Sequence, residues 1–179
     1  MPVPTTAIKD IMLRCCAIEK EAFAAAGISC DAYPFFRQAQ NSVPYFIHRL
    51  GSSTYDYNTE AVQTRAVTIE IYMAAANRVE GYSDEYSETE DRLFYYIELV
   101  RSAFLCQNRS GGLPGGAWLC SETYPTLPLY LTDYYLATLG ATLTGDSGYR
   151  ELTNSGTGAS QVGTVFTLNV PVFQQIGGV

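Results

Sequence analysis

The sequence predicts an α+β fold: a largely antiparallel or mixed sheet with two main helices packed on one face, plus an extended β-hairpin or loop arm. Three observations predict it. The chain has 179 residues, which is the size of one domain. Apolar residues recur at helical spacing in two segments, and they alternate at strand spacing between and after those segments. We therefore expect a single domain over residues 1–179.

The first helix is predicted from about Thr6 to Ala26. Apolar residues fall on one face at spacings of three and four, and Gly27 ends the helix. The charged residues of this segment are expected to lie mostly off that face. They are Lys9, Asp10, Arg14 and Lys20.

Two strands are predicted next, over Val43–Leu50 and Val62–Met73, with a turn at Gly51-Ser52-Ser53 between them and a short polar and aromatic run after it. The second strand alternates most clearly, with one apolar face. Its other face is polar and either meets water or meets a partner. That face carries Thr68, Glu70 and Tyr72.

A second helix is predicted over about Ser83–Gln107. Acidic residues crowd its first turns, where the helix dipole favours negative charge. Phe94, Tyr95 and Leu105 widen its apolar stripe, so we expect the helix to be covered on more than one side. The stripe itself consists of Leu93, Tyr96, Ile97, Val100 and Phe104.

The remainder of the chain is predicted to hold further strands, at Trp118–Tyr124 and Leu127–Leu143. Residues 145–163 are rich in Gly, Ser and Thr, which predicts a flexible loop or an exposed hairpin arm. The last strand is expected over Thr164–Phe173, and Pro171 within it indicates an edge or an end of the sheet.

Composition excludes several classes of partner. The net charge is −7 and no run of Lys or Arg occurs, so the surface as a whole is not expected to bind nucleic acid. Charged residues make up only 16% of the chain, while Tyr occurs 14 times, a balance that suits protein–protein contact. The start MPVPTTAIKD is not a signal peptide, and no apolar run is long enough to span a membrane. Five cysteines without a CxxC motif are expected to be mostly buried free thiols, as in a reducing cytoplasm.

No catalytic set is predicted. Nucleophilic catalysis by Ser or Cys needs a base, and the one histidine, His48, is expected to be a surface or cleft-lining residue of a strand. A single His does not supply a His-rich zinc site, and no calcium loop or P-loop motif occurs. We therefore predict a protein that is not an enzyme, with no catalytic, metal-binding or cofactor-binding residues. The aromatic strands leave a small carbohydrate-binding module open as an alternative.

Five segments, taken in order, have a familiar arrangement. They are VPYFIHRLGSS, YDYNTEAVQ, RAVTIEIYM, SETEDRLFYYIELVRSAF and GTVFTLNVPVFQ. Together they resemble the tail terminator (tail completion) proteins of long-tailed bacteriophages. Residues Arg65–Ile71 fit the pattern Arg-x-Val-x-Ile-x-Ile, which is similar to that family's strand before the second helix. The resemblance covers about residues 43–110 and 160–175.

The resemblance implies a structural virion protein that forms a homohexameric ring, caps the end of the tail tube and joins the tail to the head or neck. Its implied partners are further copies of itself, the tail tube protein and the neck (connector) protein. DNA would pass through the ring without sequence-specific binding. Assembly would take place in the host cytoplasm, and the protein would end in the virion. A neck (head-completion) protein or a tail-tube protein remains an alternative.

The expected contact residues follow from the polar strand face and from the arm. We expect the polar strand face to lie at a ring or lumen surface, and the arm to reach a neighbouring subunit. The predicted subunit or partner contacts are Thr68, Glu70, Tyr72, Tyr149 and Arg150.

Overall fold

In a computed structural model of the chain, the structure describes residues 7–35, 43–57, 62–77, 83–105, 134–136, 142–153, 158 and 160–175. The two helices are α1 (Ala7–Ala25) and α2 (Ser83–Leu105). The strands are β1 (Asp31–Tyr33), β2 (Tyr45–Tyr57), β3 (Val62–Asn77), β4 (Tyr134–Leu136), β5 (Thr142–Asp146), β6 (Arg150–Thr153) and β7 (Ser160–Gln175).

The strands form one mixed sheet in the order β1-β2-β3-β7-β4, and β5 and β6 also pair with β7. Only β1 and β2 run parallel; every other described pairing is antiparallel. The long β7 pairs with β3 on one side and with three short strands on the other. The predicted fold class, two helices with a largely antiparallel mixed sheet, is confirmed.

One face of the sheet packs against the helices, and we call it the inner face. Its apolar residues alternate along β3, where Val67, Ile69 and Ile71 are fully buried, and they continue into Phe166 and Leu168 of β7. α1 and α2 add apolar side chains to the same cluster. Full burial of one such side chain contributes about 1.5–3 kcal/mol, so this alternation fixes which face carries the helices.

The predicted turn at Gly51-Ser52-Ser53 is wrong, because β2 runs through these residues as one strand of 13. The pairing with β3 shifts between Leu50 and Ser52, so a β-bulge absorbs the small residues. A Gly-Ser-Ser segment favours a turn only when no neighbouring strand is available for backbone hydrogen bonding. Here β3 supplies one along the whole segment.

Pro171 does not mark an edge strand, and that prediction is also wrong. It pairs with Ala66 inside the β3–β7 ladder. On the other side of β7 it lies between the stretch that pairs with β5 and the stretch that pairs with β4. A proline is tolerated there because no described neighbour pairs with it on that side.

The predicted loop or arm at 145–163 is mostly strand where the structure describes it. Its residues belong to β5, to β6 and to the first part of β7. Between β5 and β6, Gly148 takes a positive φ of 64°, and its backbone N–H donates to Asp146 Oδ1 at 2.9 Å. Residues 154–157 and 159 of the predicted arm lie outside the described residues, as does the predicted strand Trp118–Tyr124.

Phe94 and Tyr95 of α2 are each 53% exposed, so the prediction that they widen a buried stripe is wrong. At about 100° per residue they fall on the side of the helix opposite Leu93 and Val100, which face the sheet. Among the described side chains of α2, only those on the side that faces the sheet are buried.

Candidate functional site

The most concentrated chemistry lies between α1, β1 and β2. His48 belongs to the inner face of β2, two residues after the buried Phe46. It is only 1% exposed, so its prediction as a surface or cleft-lining residue is wrong. Glu19 of α1 is equally buried, and Arg14, predicted to lie off the apolar face, is 4% exposed.

The imidazole of His48 has a partner at each ring nitrogen. Nε2 lies 2.9 Å from Glu19 Oε1, and Nδ1 lies 2.8 Å from the carbonyl oxygen of Tyr33. A backbone carbonyl only accepts hydrogen bonds, so Nδ1 carries the proton that it donates to Tyr33. The Tyr33 contact keeps a proton on Nδ1, and the two contacts together tie α1, β1 and β2 to one another at one point.

Cys16 lies beside this pair, with its Sγ 3.6 Å from His48 Nδ1. Cysteine, histidine and carboxylate together have the composition of a nucleophilic triad. Nδ1, however, already donates its proton to Tyr33 and has no lone pair with which to deprotonate the thiol. Burial raises the pKa of Cys16 despite the opposing effect of His48, so the thiol stays protonated.

The other described cysteines show the same behaviour. Cys15 is a fully buried free thiol, and Cys30 is a half-buried one whose Sγ lies 3.9 Å from the carbonyl oxygen of Glu19. Burial raises the pKa of Cys30 to about 12. The expectation of free thiols is therefore met by the three described cysteines, while Cys106 and Cys120 lie outside the described residues.

Cys16, Glu19 and His48 also have the ligand types of a metal site, with one donor atom of each within 4.8 Å of the others. Their hydrogen bonds show why the fit is poor. Cys16 approaches the Nδ1 edge of the ring, whereas Glu19 binds the Nε2 edge. A single ion binds only one nitrogen of an imidazole, so these three side chains would not converge on it without rearrangement.

Glu19 and His48 both hold a proton more tightly in the folded protein than they would in water. Burial raises the pKa of Glu19, and its Oε2 finds no hydrogen-bond partner among the described residues, while His48 only partly offsets this effect. Burial alone would lower the pKa of His48, but the Glu19 carboxylate and the hydrogen bonds raise it well above its usual range. The pair therefore keeps its shared proton to higher pH than the unfolded chain does.

This proton gives a testable pH dependence. Above about pH 6.5 the unfolded histidine loses its proton while the folded pair retains it, so stability should fall as pH rises towards the folded pKa. The expected slope is about 1.4 kcal/mol per pH unit in the free energy of unfolding. Urea unfolding between pH 6.5 and 8.5 measures it, and His48→Gln, which removes the one histidine, should flatten the curve. If the variant keeps the same slope, the pH dependence of the unfolding free energy comes from ionisable groups other than His48.

The second group of side chains lies on the sheet face turned away from the helices, which we call the outer face. Thr68, Glu70 and Tyr72 of β3 are half-buried there. The Tyr72 hydroxyl donates to Glu70 Oε2 at 2.8 Å, and the Arg49 guanidinium lies 4.8 Å from the centre of the Tyr72 ring. The Thr68 hydroxyl donates to Asn169 Oδ1 of β7 at 2.9 Å. These contacts hold the polar side chains in fixed positions across β2, β3 and β7.

Arg150 joins this face, whereas Tyr149 does not. Arg150 is exposed and pairs with Gly163 of β7, whose alternation places it on the outer face. It lines an open depression of about 400 Å³ together with residues of β5 and β7, among them Thr167, and with Ser147 between β5 and β6. Tyr149 instead packs against the inner cluster. The structure thus brings four of the five predicted contact residues to one face.

No protein-family model matches the chain, and a search of curated proteins found no match. Within the described ranges, neither helix is long and apolar enough to cross a membrane.

Proposed function

We propose that the protein is a ring-forming structural component of a phage virion, a tail terminator that caps the tail tube and joins it to the head or neck. The proposal includes the partners named above: further copies of the chain, the tail tube protein and the neck protein. It is supported by the resemblance of its segments and by a fold in which both described helices lie on the same face of the sheet.

The observation that carries the proposal is the outer face. A sheet face without described helices would ordinarily carry scattered, solvated polar side chains. Here Tyr72 contacts both Arg49 and Glu70, and separately the Thr68 hydroxyl donates to Asn169. A rigid surface of polar and aromatic groups binds a partner with little loss of side-chain entropy, which is typical of interaction surfaces.

The same face agrees with DNA passing through a ring without being bound. Its described charges are mixed, since Glu70 pairs with Arg49 across β2 and β3 while Arg150 lies further along the face on β6, and the whole chain carries a net charge of −7. Binding to the phosphate backbone requires clustered Lys and Arg. A ring lined by this face would therefore not retain DNA.

The other candidate functions draw less support. The buried Cys16–His48–Glu19 cluster has neither a free base nor access to solvent, so it supports no nucleophilic enzyme. A carbohydrate-binding site usually presents an aromatic platform, and the depression near Arg150 is lined by none among the described residues. A neck or tail-tube protein would use the same kind of face and is distinguished by experiment.

Electron microscopy of virions assembled without this protein tests the function. A tail terminator predicts complete heads together with unjoined tails of uncontrolled length. Tails of normal length that fail to join heads would favour the neck protein instead. Absence of tail tubes altogether would favour the tail-tube protein, and normal virions would reject a structural role.

The outer face is tested by adding bulk and charge to it. Thr68→Arg should abolish complementation of the missing protein, because the new side chain stands on the proposed contact surface. The loss of one hydrogen bond should cost the monomer only about 1 kcal/mol. Glu21→Arg, which places the same side chain on an exposed position of α1, should complement normally. Equal activity of the two variants would remove the outer face from the contact surface.

A further inference from the structure

The contact between His48 and Glu19 depends on one proton that the two side chains share. Nδ1 of His48 donates its own proton to the carbonyl oxygen of Tyr33 at 2.8 Å, so Nε2 is the atom that faces Glu19 Oε1 at 2.9 Å. Without a proton between them, Nε2 and Oε1 would be two acceptors pressed together. Both side chains are shielded from solvent, so exposure to water does not relieve that repulsion. The contact is therefore attractive only while the pair keeps its proton.

This contact joins a weakly paired edge of the sheet to the rest of the fold. β1 is a terminal strand of the described sheet and pairs with β2 at only three residues, whereas β3 pairs with β2 and β7 along nearly its whole length. α1 precedes β1 in the chain and packs against β1 and β2, where the ring centre of Phe23 lies 5.2 Å from that of Phe46. Glu19 on α1 and Tyr33 on β1 are thus both held by one side chain of β2, His48.

Within α1, the ionisable groups near the pair do not replace this proton. Cys16 and Lys20 act on the pair most directly. Burial raises the pKa of the Cys16 thiol, which therefore stays protonated, and Lys20 is exposed, so water and salt screen its ammonium group. Cys15 is fully buried, and its pKa is raised for the same reason. Arg14, the other buried charge of this helix, lies about 140° around it from Glu19.

The other elements packed around the pair add no opposing charge on its side of the sheet. β3 places the apolar Ile71 directly across from His48. Before β1, burial raises the pKa of the half-buried Cys30 to about 12, and Asp31 of β1 lies on the outer side of that strand. α2 contributes Tyr96 to the same cluster, and burial raises its pKa as well. Between about pH 6 and 9, loss of the shared proton is therefore the event that changes the charge of this cluster.

We infer that the proton shared by His48 and Glu19 is a latch: when it is lost, α1 and β1 open together as a local unit, while β2, β3, β7 and α2 stay folded. Its loss leaves a carboxylate oxygen and a ring nitrogen in repulsion inside a dry region, where such a repulsion is strong. Separating α1 from β2 relieves it. That movement breaks the three residue pairs of β1, whereas moving β2 would break its long ladder with β3.

The latch opens towards alkaline pH. Desolvation alone would lower the pKa of His48, but the Glu19 carboxylate and the hydrogen bonds raise it in the closed state. Above about pH 6.5 an opened His48 releases its proton while the closed pair keeps it. Opening therefore becomes about ten-fold more favourable per pH unit until the pH reaches the pKa of the closed state. This opening is local, so it differs from global unfolding, and it does not depend on the proposed ring.

Native-state hydrogen exchange of the full chain tests the latch, followed by mass spectrometry between pH 6 and 9 and corrected for the intrinsic exchange rate. Amides of α1 and β1 should be less protected than those of β3 and β7, and their protection should fall about ten-fold per pH unit above about pH 6.5. At the alkaline end α1 should exchange while β3 and β7 remain protected. Equal protection of all these elements at every pH would overturn the inference, because only global unfolding would then expose α1. Protection of α1 that does not change with pH would also overturn it.

Glu19→Gln separates the shared proton from the rest of the packing. Its side-chain amide can donate directly to an unprotonated Nε2 of His48 while Nδ1 still donates to Tyr33, so the contact no longer needs a titrating proton. The protection of α1 should therefore become independent of pH, whereas Glu21→Gln, at an exposed position of the same helix, should keep the wild-type dependence. A Glu19→Gln variant that retains the ten-fold dependence would contradict the latch. The comparison of α1 with β3 in the wild-type chain decides the question even if this variant fails to fold.

Discussion

Glu19→Ala should lower the free energy of unfolding by about 3–5 kcal/mol, because it removes one member of a buried charged pair and leaves a cavity. His48 would lose the acceptor at Nε2, now 2.9 Å away, inside a region with almost no access to water. Such a loss is a large part of the 5–15 kcal/mol that stabilises a typical domain. Urea unfolding at pH 6 measures the change.

The matched control is Glu21→Ala, an exposed carboxylate of the same helix, for which we expect a change within about 0.5 kcal/mol. Glu19→Gln should fall between the two, because an amide can still hydrogen-bond His48 but carries no charge. If Glu19→Ala is no more destabilising than the control, the buried pair does not hold α1 to the sheet.

Gly163→Ala is expected to be comparably damaging, with a loss of about 3 kcal/mol or more. A Cβ at this position would collide with the backbone carbonyl oxygen of Met73 and would lie 2.6 Å from Leu152 Cδ1. The carbonyl belongs to the neighbouring strand β3, so it cannot move without disturbing the β3–β7 ladder. Glycine is required here because the backbones of β3 and β7 approach each other closely next to a bulge. The reason is space and not backbone conformation, since the φ angle of Gly163 is not positive.

Gly145→Ala provides the comparison for the glycine. It lies in β5, which also pairs with β7, and an added Cβ there would meet nothing within 4 Å. We expect its unfolding free energy to change by less than about 0.5 kcal/mol. Thermal unfolding of the two variants side by side measures the difference, and similar midpoints would contradict the close approach at Gly163.

The sequence predicts the long elements well, because periodicity depends on which side of an element is buried. The alternation of Val67, Ile69 and Ile71 predicts both the strand and its buried face, and the helix α1 begins and ends within a residue of its predicted bounds. Short-range signals are less informative. The turn at Gly51-Ser52-Ser53 and the edge at Pro171 were predicted from local preferences that long-range strand pairing overrides.

The buried cluster is harder to predict because its parts are far apart in the chain. Glu19 follows Cys15 by one helical turn, a position that places it on the buried side of α1. A carboxylate there requires a partner, and the one histidine is the natural candidate. That the carbonyl of Tyr33 accepts from Nδ1 of His48 depends on the parallel β1–β2 pairing, which the sequence does not reveal.

The outer face was predicted only in part, since alternation along β3 identifies Thr68, Glu70 and Tyr72 but not their neighbours. Arg49 and Asn169 join them through the register of β2 and β7. Tyr149, predicted with Arg150, lies in the bend just before β6 and packs against the inner cluster, which strand alternation does not predict.

Native mass measurement of the full chain at high concentration, read together with electron microscopy of the same sample, tests the assembly proposal most directly. The proposed ring predicts a closed species of six times the 19.7 kDa chain mass, with six-fold images and loss of the species in Thr68→Arg. A chain that forms no species larger than a two-fold dimer at any concentration, alone or with tail tubes, would contradict it.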